Sequence, residues 1–305
     1  MDTIFVSQGS ENSIGLEVFL KAFSCLPICL KKYFTLVCNE TVLKTHMNNL
    51  NFDFSIVSSK LIFSGGALPI KFIQRNKSTS QDSLDYIIGV IKKDDVLLTL
   101  PMNKKELYFN EQLCSGHTEY LRRHFKNNTL GMFFESYKDY ILLLSDHIPL
   151  VDVPSFMLAN DHFSKIEKTL LSIDNISEVI FSGINPHAGE NGTLGEEEKI
   201  FPKLITRLQN QFNKIKFKGP FPSDTIYNQR SANKSQLFIF PYHDQGLNIF
   251  KERNRFLGLN ITIGLPFHRL SVDHGTAPDL VGKNIANYEC SLLSLNKCLK
   301  LIGTT

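Results

Sequence analysis

Residues 3–23, TIFVSQGSENSIGLEVFLKAF, hold in one stretch the pattern that decides the fold. Thr3–Ser7 is a β-rich run, Gly9–Gly15 is a loop of Gly, Ser and Asn, and Leu16, Phe19, Leu20 and Phe23 recur at helical spacing. This is strand, loop, helix, and the order recurs outward along the chain. Tyr33–Cys38 and Asp53–Ser58 read as strands, Asp85–Lys92 as a short helix, and Asp95–Leu100 as a strand stopped by Pro101. Further on, Ser155–Ile173 has a helical pattern, Glu178–Ile184 is a strand of the buried type, and Glu196–Phe212 is an amphipathic helix with acidic residues in its first turn. Strands at Leu237–Pro241 and Asn260–Gly264 and a closing helix near Ala286–Leu301 complete the chain. Alternation of this kind predicts an α/β protein with parallel sheets covered by helices, and 305 residues suit two lobes better than one. The expected division is 1–125 plus 285–305 for the first lobe and 126–284 for the second.

Composition narrows the function. With 42% hydrophobic and 21% charged residues the chain can bury a large core, and Lys+Arg 33 against Asp+Glu 30 leaves a net charge of only +3. No basic field is available for nucleic acid. The longest apolar runs, Tyr140–Leu144 and Leu237–Pro241, are far short of the roughly 20 residues of a membrane helix, so no membrane role is expected. The first seven residues show neither a secretory nor a transit pattern, which points to a cytoplasmic protein. The six cysteines contain no Cys-x-x-Cys pair and read as reduced packing residues.

Four polar clusters each carry one histidine: Ser115–Glu119, Ser145–Leu150, Asn185–Glu190 and Pro241–Gly246. The last three follow apolar runs with strand character, so His147, His187 and His243 are expected along one sheet edge. Three imidazoles plus a water or substrate oxygen is an established shell for a catalytic divalent metal. Separations of 40 and 56 residues give no local metal pattern, and for any one of the three a hydrogen-bonded loop histidine is the open alternative. Gly189, Gly192 and Gly195 form a G-x-x-G-x-x-G stretch before a helix, where free backbone N–H groups could hold an anion such as a cofactor phosphate. The spacing matches neither the Rossmann fingerprint nor the Walker pattern, and a flexible glycine turn is the open alternative. Lys251, Asn260, Arg269 and the run Ser271–Ala277 supply donors suited to a phosphate or carboxylate.

The strings GHTE at 116–119, NPHAGE at 185–190, GPFPSDT at 219–225, YHDQG at 242–246 and GLPFHRLSVDHGTA at 264–277 together resemble the signature segments of the 4-hydroxythreonine-4-phosphate dehydrogenase family of pyridoxal phosphate biosynthesis. The resemblance implies two α/β/α lobes with a cleft between them, like isocitrate and isopropylmalate dehydrogenases and without a Rossmann domain. It implies one divalent metal ion (Zn, Mg, Mn or Co) on His147, His187 and His243, carried by the second lobe. Substrate would be held by His117, Thr118, Lys251, Asn260 and Arg269, with Lys251, Asp244 and Asp273 as catalytic candidates. It also implies NAD or NADP as hydride acceptor, and a homodimer whose active site is completed at the subunit interface. The family's first loop normally carries two prolines; here Gly9–Glu17 reads GSENSIGLE and has lost both, which removes rigidity.

The activity so implied is oxidation of the C3 hydroxyl of a phosphorylated hydroxy-amino acid, 4-phosphohydroxy-L-threonine, followed by decarboxylation to 3-amino-2-oxopropyl phosphate. A related decarboxylating dehydrogenase of threonate or erythronate phosphate, or of an aromatic dihydrodiol, would share these motifs. A metal-dependent hydrolase or aldolase, and a metabolite-binding paralogue without catalysis, are the readings from other classes.

Overall fold

The computed structural model describes residues 2–232, 235–255 and 257–304 as two compact units. The first comprises residues up to 126 together with 259–261 and 265 onward; the second comprises 127–258 and 262–264. The outward crossing lies between residues 126 and 127. The return lies at 259–265 rather than near 285, because the strand Leu259–Ile263 already contributes to both units and His268–Val272 belongs to the first.

In the first unit the order of strands is His268–Val272, Val96–Thr99, Ile4–Ser7, Phe34–Cys38, Gly66–Phe72, Lys60–Phe63, Phe54–Val57. The first five are parallel and the last three form an antiparallel meander at the edge. The helix Gly15–Ser24 packs beside the closing helix Glu289–Leu301. Buried Glu17 joins the two segments, accepting from Lys21 Nζ at 2.7 Å and from the backbone N–H of Ala286 at 3.0 Å. The helix expected at 85–92 begins earlier, at Thr79, where the Ser78 side chain caps the Gln81 N–H.

In the second unit the order is Lys216–Phe221, Glu178–Ser182, Gln236–Phe240, Tyr140–Leu143, Gly131–Glu135, with the first four parallel and the last antiparallel. The two inner strands Glu178–Ser182 and Gln236–Phe240 are buried along their whole length. That is why they read as continuous apolar runs: both faces are covered. One face packs Met132, Phe134, Ile141, Leu143, Phe238 and Phe240 under Leu247 and Phe250 of the helix His243–Asn254. The single helix expected at 155–173 is two, Val153–Ala159 and Phe163–Leu171. Asn160 is extended between them, and Asp161 restarts the chain by accepting from the Phe163 N–H. No helix among the described residues is long and apolar enough to cross a membrane.

A buried ionic knot closes the second unit. Asp139, 3% exposed, accepts from Arg230 Nη1 at 2.8 Å, Arg253 Nε at 3.1 Å and Asn254 Nδ2 at 2.9 Å. Its own N–H is held by Ser136 Oγ, so the carboxylate is fixed in the turn between two strands. Removing Asp139 leaves two part-exposed guanidinium groups without their shared carboxylate. Asp139→Ala is therefore expected to lower stability by about 1–3 kcal/mol, read as a reduced urea midpoint at unchanged slope.

Candidate active site

Three neighbouring parallel strands of the second unit, Glu178–Ser182, Gln236–Phe240 and Tyr140–Leu143, send their carboxyl ends to the same edge. Each is followed by a histidine loop, so topology alone delivers His187, His243 and His147 to that edge. Two of these loops are clasped together. Ser145, 1% exposed, reaches Pro241 O with both its Oγ at 2.7 Å and its N–H at 2.9 Å, while Lys165 Nζ holds Leu144 O.

As a result the rings of His147 and His243 stand with centroids 5.5 Å apart and planes tilted by 40°. Two imidazoles sharing a tetrahedral ion at about 2.0–2.1 Å have ring centres roughly 5 Å apart, so this pair fits a common cation. His243 Nδ1 donates to Asp244 Oδ1 at 2.8 Å, which leaves the Nε2 lone pair as the metal-facing donor. Asp146, Ile148, Leu150, Val153 and Tyr242 complete a cavity of about 450 Å³ around them.

His187 is differently placed. Its loop, Pro186–Gly192, runs through five consecutive left-handed residues: His187 (φ 53), Ala188 (φ 52), Gly189 (φ 76), Glu190 (φ 44) and Asn191 (φ 57). Four of them are not glycine, and each costs on the order of 1–2 kcal/mol in that conformation. Among the described residues no three His, Cys, Asp or Glu side chains are gathered closely enough to hold an ion as they stand. The structure thus pairs His147 with His243 and does not close a cage with His187 in this conformation.

The glycine stretch beside it has an internal use. A Cβ on Gly189 would come 2.6 Å from Glu198 Oε2, and one on Gly195 would come 2.4 Å from Asn185 Nδ2. Those two glycines let the loop close on its own polar groups; only Gly192 has open space on its side-chain direction. Lys251 is exposed and lies eight residues beyond His243 in the helix His243–Asn254, roughly 12 Å along its axis.

The remaining candidates belong to the first unit. His117 opens the helix His117–His124 after Gly116, and Thr118 is buried. Arg269, 2% exposed, extends from the strand His268–Val272 and donates Nη2 to Thr99 Oγ1 at 2.6 Å. Burial lowers its pKa to about 9, which leaves the guanidinium charged at neutral pH. Burial first, and then the Arg269 cation, lower His117 to about 3, so its imidazole is neutral. Asn260 Oδ1 is a buried acceptor with no hydrogen-bond partner. A buried cation, a neutral imidazole and an amide in one unit are the elements of a site for an anionic, hydroxyl-bearing molecule.

Next to Asp273, His274 donates Nδ1 to Gly275 O at 3.0 Å and keeps Nε2 buried without a partner, with a pKa lowered by burial. Within the quoted motifs, spacing gives no particular role to Ser145, Gln245 or His274, nor to Glu198 in the acidic turn that begins at Glu196; their partners reveal them.

The chain has the two-unit α/β fold seen in isocitrate-type dehydrogenases. It is similar to an isocitrate dehydrogenase from Methylococcus capsulatus, with TM-score 0.53 and 11% identity over 100% of this chain and 86% of that one. A higher similarity is found to a crystal structure of a 4-hydroxythreonine-4-phosphate dehydrogenase from Burkholderia phymatum, with TM-score 0.72 and 24% identity over 99% and 98% of the two chains. In sequence it is 33% identical over 291 residues to the 4-hydroxythreonine-4-phosphate dehydrogenase of Sulfurimonas denitrificans, covering 91% of this chain and 90% of that protein. Residues 31–298 match the family model of the pyridoxal phosphate biosynthetic protein PdxA. The chain belongs to the PdxA family.

The electrostatics of the first unit give a pH prediction. Because folded His117 titrates near 3 and an unfolded histidine near 6.5, the unfolded chain takes up the proton first, and stability falls as pH drops from about 6.5 toward 3. In Arg269→Met, the His117 resonance is expected to titrate at a higher pH than in the wild type yet still below 6.5, since burial remains. An unmoved titration in the NMR spectrum would show that the guanidinium does not act on that ring.

Proposed function

We propose that this chain is an NAD- or NADP-dependent dehydrogenase that oxidises the C3 hydroxyl of 4-phosphohydroxy-L-threonine and releases CO2 to give 3-amino-2-oxopropyl phosphate, a step of vitamin B6 synthesis. Family membership supports the reaction class. The single structural observation that carries the reading is the His147–His243 pair at 5.5 Å, with Asp244 orienting His243.

In the reaction, the C3 hydrogen leaves with its electron pair for the nicotinamide ring and the hydroxyl proton is lost, leaving a ketone β to the carboxylate. The C–CO2 bond then breaks, its electrons pass into the enolate, and a proton returns to carbon. His147, His243 and, once its loop brings it in, His187 would hold the divalent ion. Bound there, it supplies Lewis acidity for both the oxidation and the loss of CO2.

Arg269 provides a permanent cation for the phosphate or carboxylate, and neutral His117 with Thr118 and Asn260 supplies hydrogen bonds to the remaining polar groups. Lys251 is the proton donor to the enolate. The family resemblance implies a homodimer in which a second copy completes the site. Asp273 orients its neighbour His274. Of the three glycines, Gly192 is the one left to face a cofactor.

The test is NADH or NADPH formation from 4-phosphohydroxy-L-threonine before and after chelation. Activity is expected to vanish with the metal and return on adding Zn, Mg, Mn or Co. His147→Ala and His243→Ala should each reduce kcat/KM by roughly 100-fold or more with the fold intact. Turnover that survives exhaustive chelation would reject the metal site.

A further inference from the structure

Resting on the dehydrogenase reading just given, we propose that the cavity beside His147 and His243 receives the nicotinamide ring of the coenzyme, against a wall made by Ile148, Leu150 and Val153. The cavity measures about 450 Å3, the size of a site for one small molecule. Among the described residues that line it there is no lysine or arginine, while two carboxylates, Asp146 and Asp244, are present. The phosphate and carboxylate of the substrate therefore meet no counter-charge here; the buried cation suited to them, Arg269, belongs to the first unit. What this lining suits is a flat, largely apolar group that carries positive charge, and an oxidised nicotinamide ring is such a group.

The wall has a fixed base and an open face. Val153, 1% exposed, begins the helix Val153–Ala159, whereas Leu150 is 67% exposed. A lone exposed leucine is ordinary, but this one shares a cavity with two imidazoles. Two tight turns in succession bring it there: the Ile148 N–H donates to Asp146 O at 2.7 Å and the Asp152 N–H to Pro149 O at 2.9 Å. Hydride transfer requires the carbon that bears the hydroxyl to come within about 3–3.5 Å of the ring. The ring must therefore lie next to the groups that take the hydroxyl oxygen, and His147 and His243 line the same cavity as the wall. Accepting the hydride removes the charge of the ring, so the two carboxylates favour the oxidised coenzyme over the reduced one. Asp244 is 79% exposed, which keeps that preference modest.

The experiment is calorimetric titration of the full-length protein with NAD+, NADH and ADP-ribose, which lacks the nicotinamide, and with the 2′-phosphorylated form of each. Circular dichroism and sedimentation follow folding and association state. Leu150→Ser is expected to weaken the oxidised coenzyme by roughly 5–10-fold and to leave the ADP-ribose form unchanged. Leu150→Met, which keeps an apolar side chain, should recover most of the affinity, and Ile148→Ala should repeat the selective loss should Leu150→Ser not fold. Asp146→Asn should lower the preference for oxidised over reduced coenzyme by roughly 2–5-fold.

Equal losses for coenzyme and ADP-ribose, no loss for either, or an unmoved ratio in Asp146→Asn would overturn the proposal while leaving the dehydrogenase reading in place. So would a Leu150→Ser protein altered only in its association state, since the wall would then be a contact between copies. A wild type that binds neither NAD+ nor NADP+ would instead remove the dehydrogenase reading and the proposal with it.

Discussion

The strand Gln236–Phe240 is hydrogen-bonded in parallel on both sides, to Tyr140–Leu143 through Leu143 opposite Phe240 and to Glu178–Ser182 through Phe181 opposite Ile239. Every chemical capability of the second unit depends on that register. All three strands end together only because they are aligned within a residue of one another, and a slip of one residue would carry a histidine loop about 3.3 Å along the sheet. Side-chain alternation cannot set this register, since the two inner strands are buried on both faces and almost any apolar shift would still fill the core. What sets it lies at the ends: Ser145 gripping Pro241 O twice, and Gln245 gripping Gly183 O. The polar clasps that align the strands are the same ones that bring the imidazoles into place.

This division between core and clasp explains what the sequence makes legible. The strand ends were readable because a fully buried parallel strand is a bare apolar run, and the polar histidine clusters that follow mark where it stops. The helix His243–Asn254 was not readable, because its first turn is the motif Tyr-His-Asp-Gln-Gly and a glycine stands at its fourth position. Only the packing of Leu247 and Phe250 on the sheet makes it a helix. The break at Asn160 is hidden for the opposite reason. Apolar residues on either side keep helical spacing, while a single extended residue and the Asp161 bond separate the two helices. The return between units is also hidden, since it falls within a strand rather than in a linker of distinct composition.

In the first unit the reading rests on charge instead of alignment. An arginine at 2% exposure is costly unless something is gained from it. Its bond to Thr99 Oγ1 at 2.6 Å is to a neutral hydroxyl. Burial, and after it the cation, keep His117 neutral, so the imidazole can accept as well as donate a hydrogen bond at physiological pH. Such a pair discriminates: the guanidinium selects an anion in fork geometry and the imidazole selects a hydroxyl. Both were legible as residue types in their motifs. Their burial, which gives them those properties, was not.

The glycine stretch shows how one pattern can carry two physical meanings. Glycines before a helix free backbone N–H groups for an anion; the loop after Glu178–Ser182 also holds an anion of its own, the carboxylate of Glu198, on the Ile184 and Asn185 N–H groups that precede the glycines. Gly189 and Gly195 give the clearance that lets this loop fold tightly, while Gly192 keeps open space on its side-chain direction. The four left-handed residues other than glycine follow directly on that anchored stretch. A histidine mounted on a strained loop can join the other two only if that backbone leaves the conformation it holds here. Its strength as a ligand is then set by the residues beneath it as much as by its own ring.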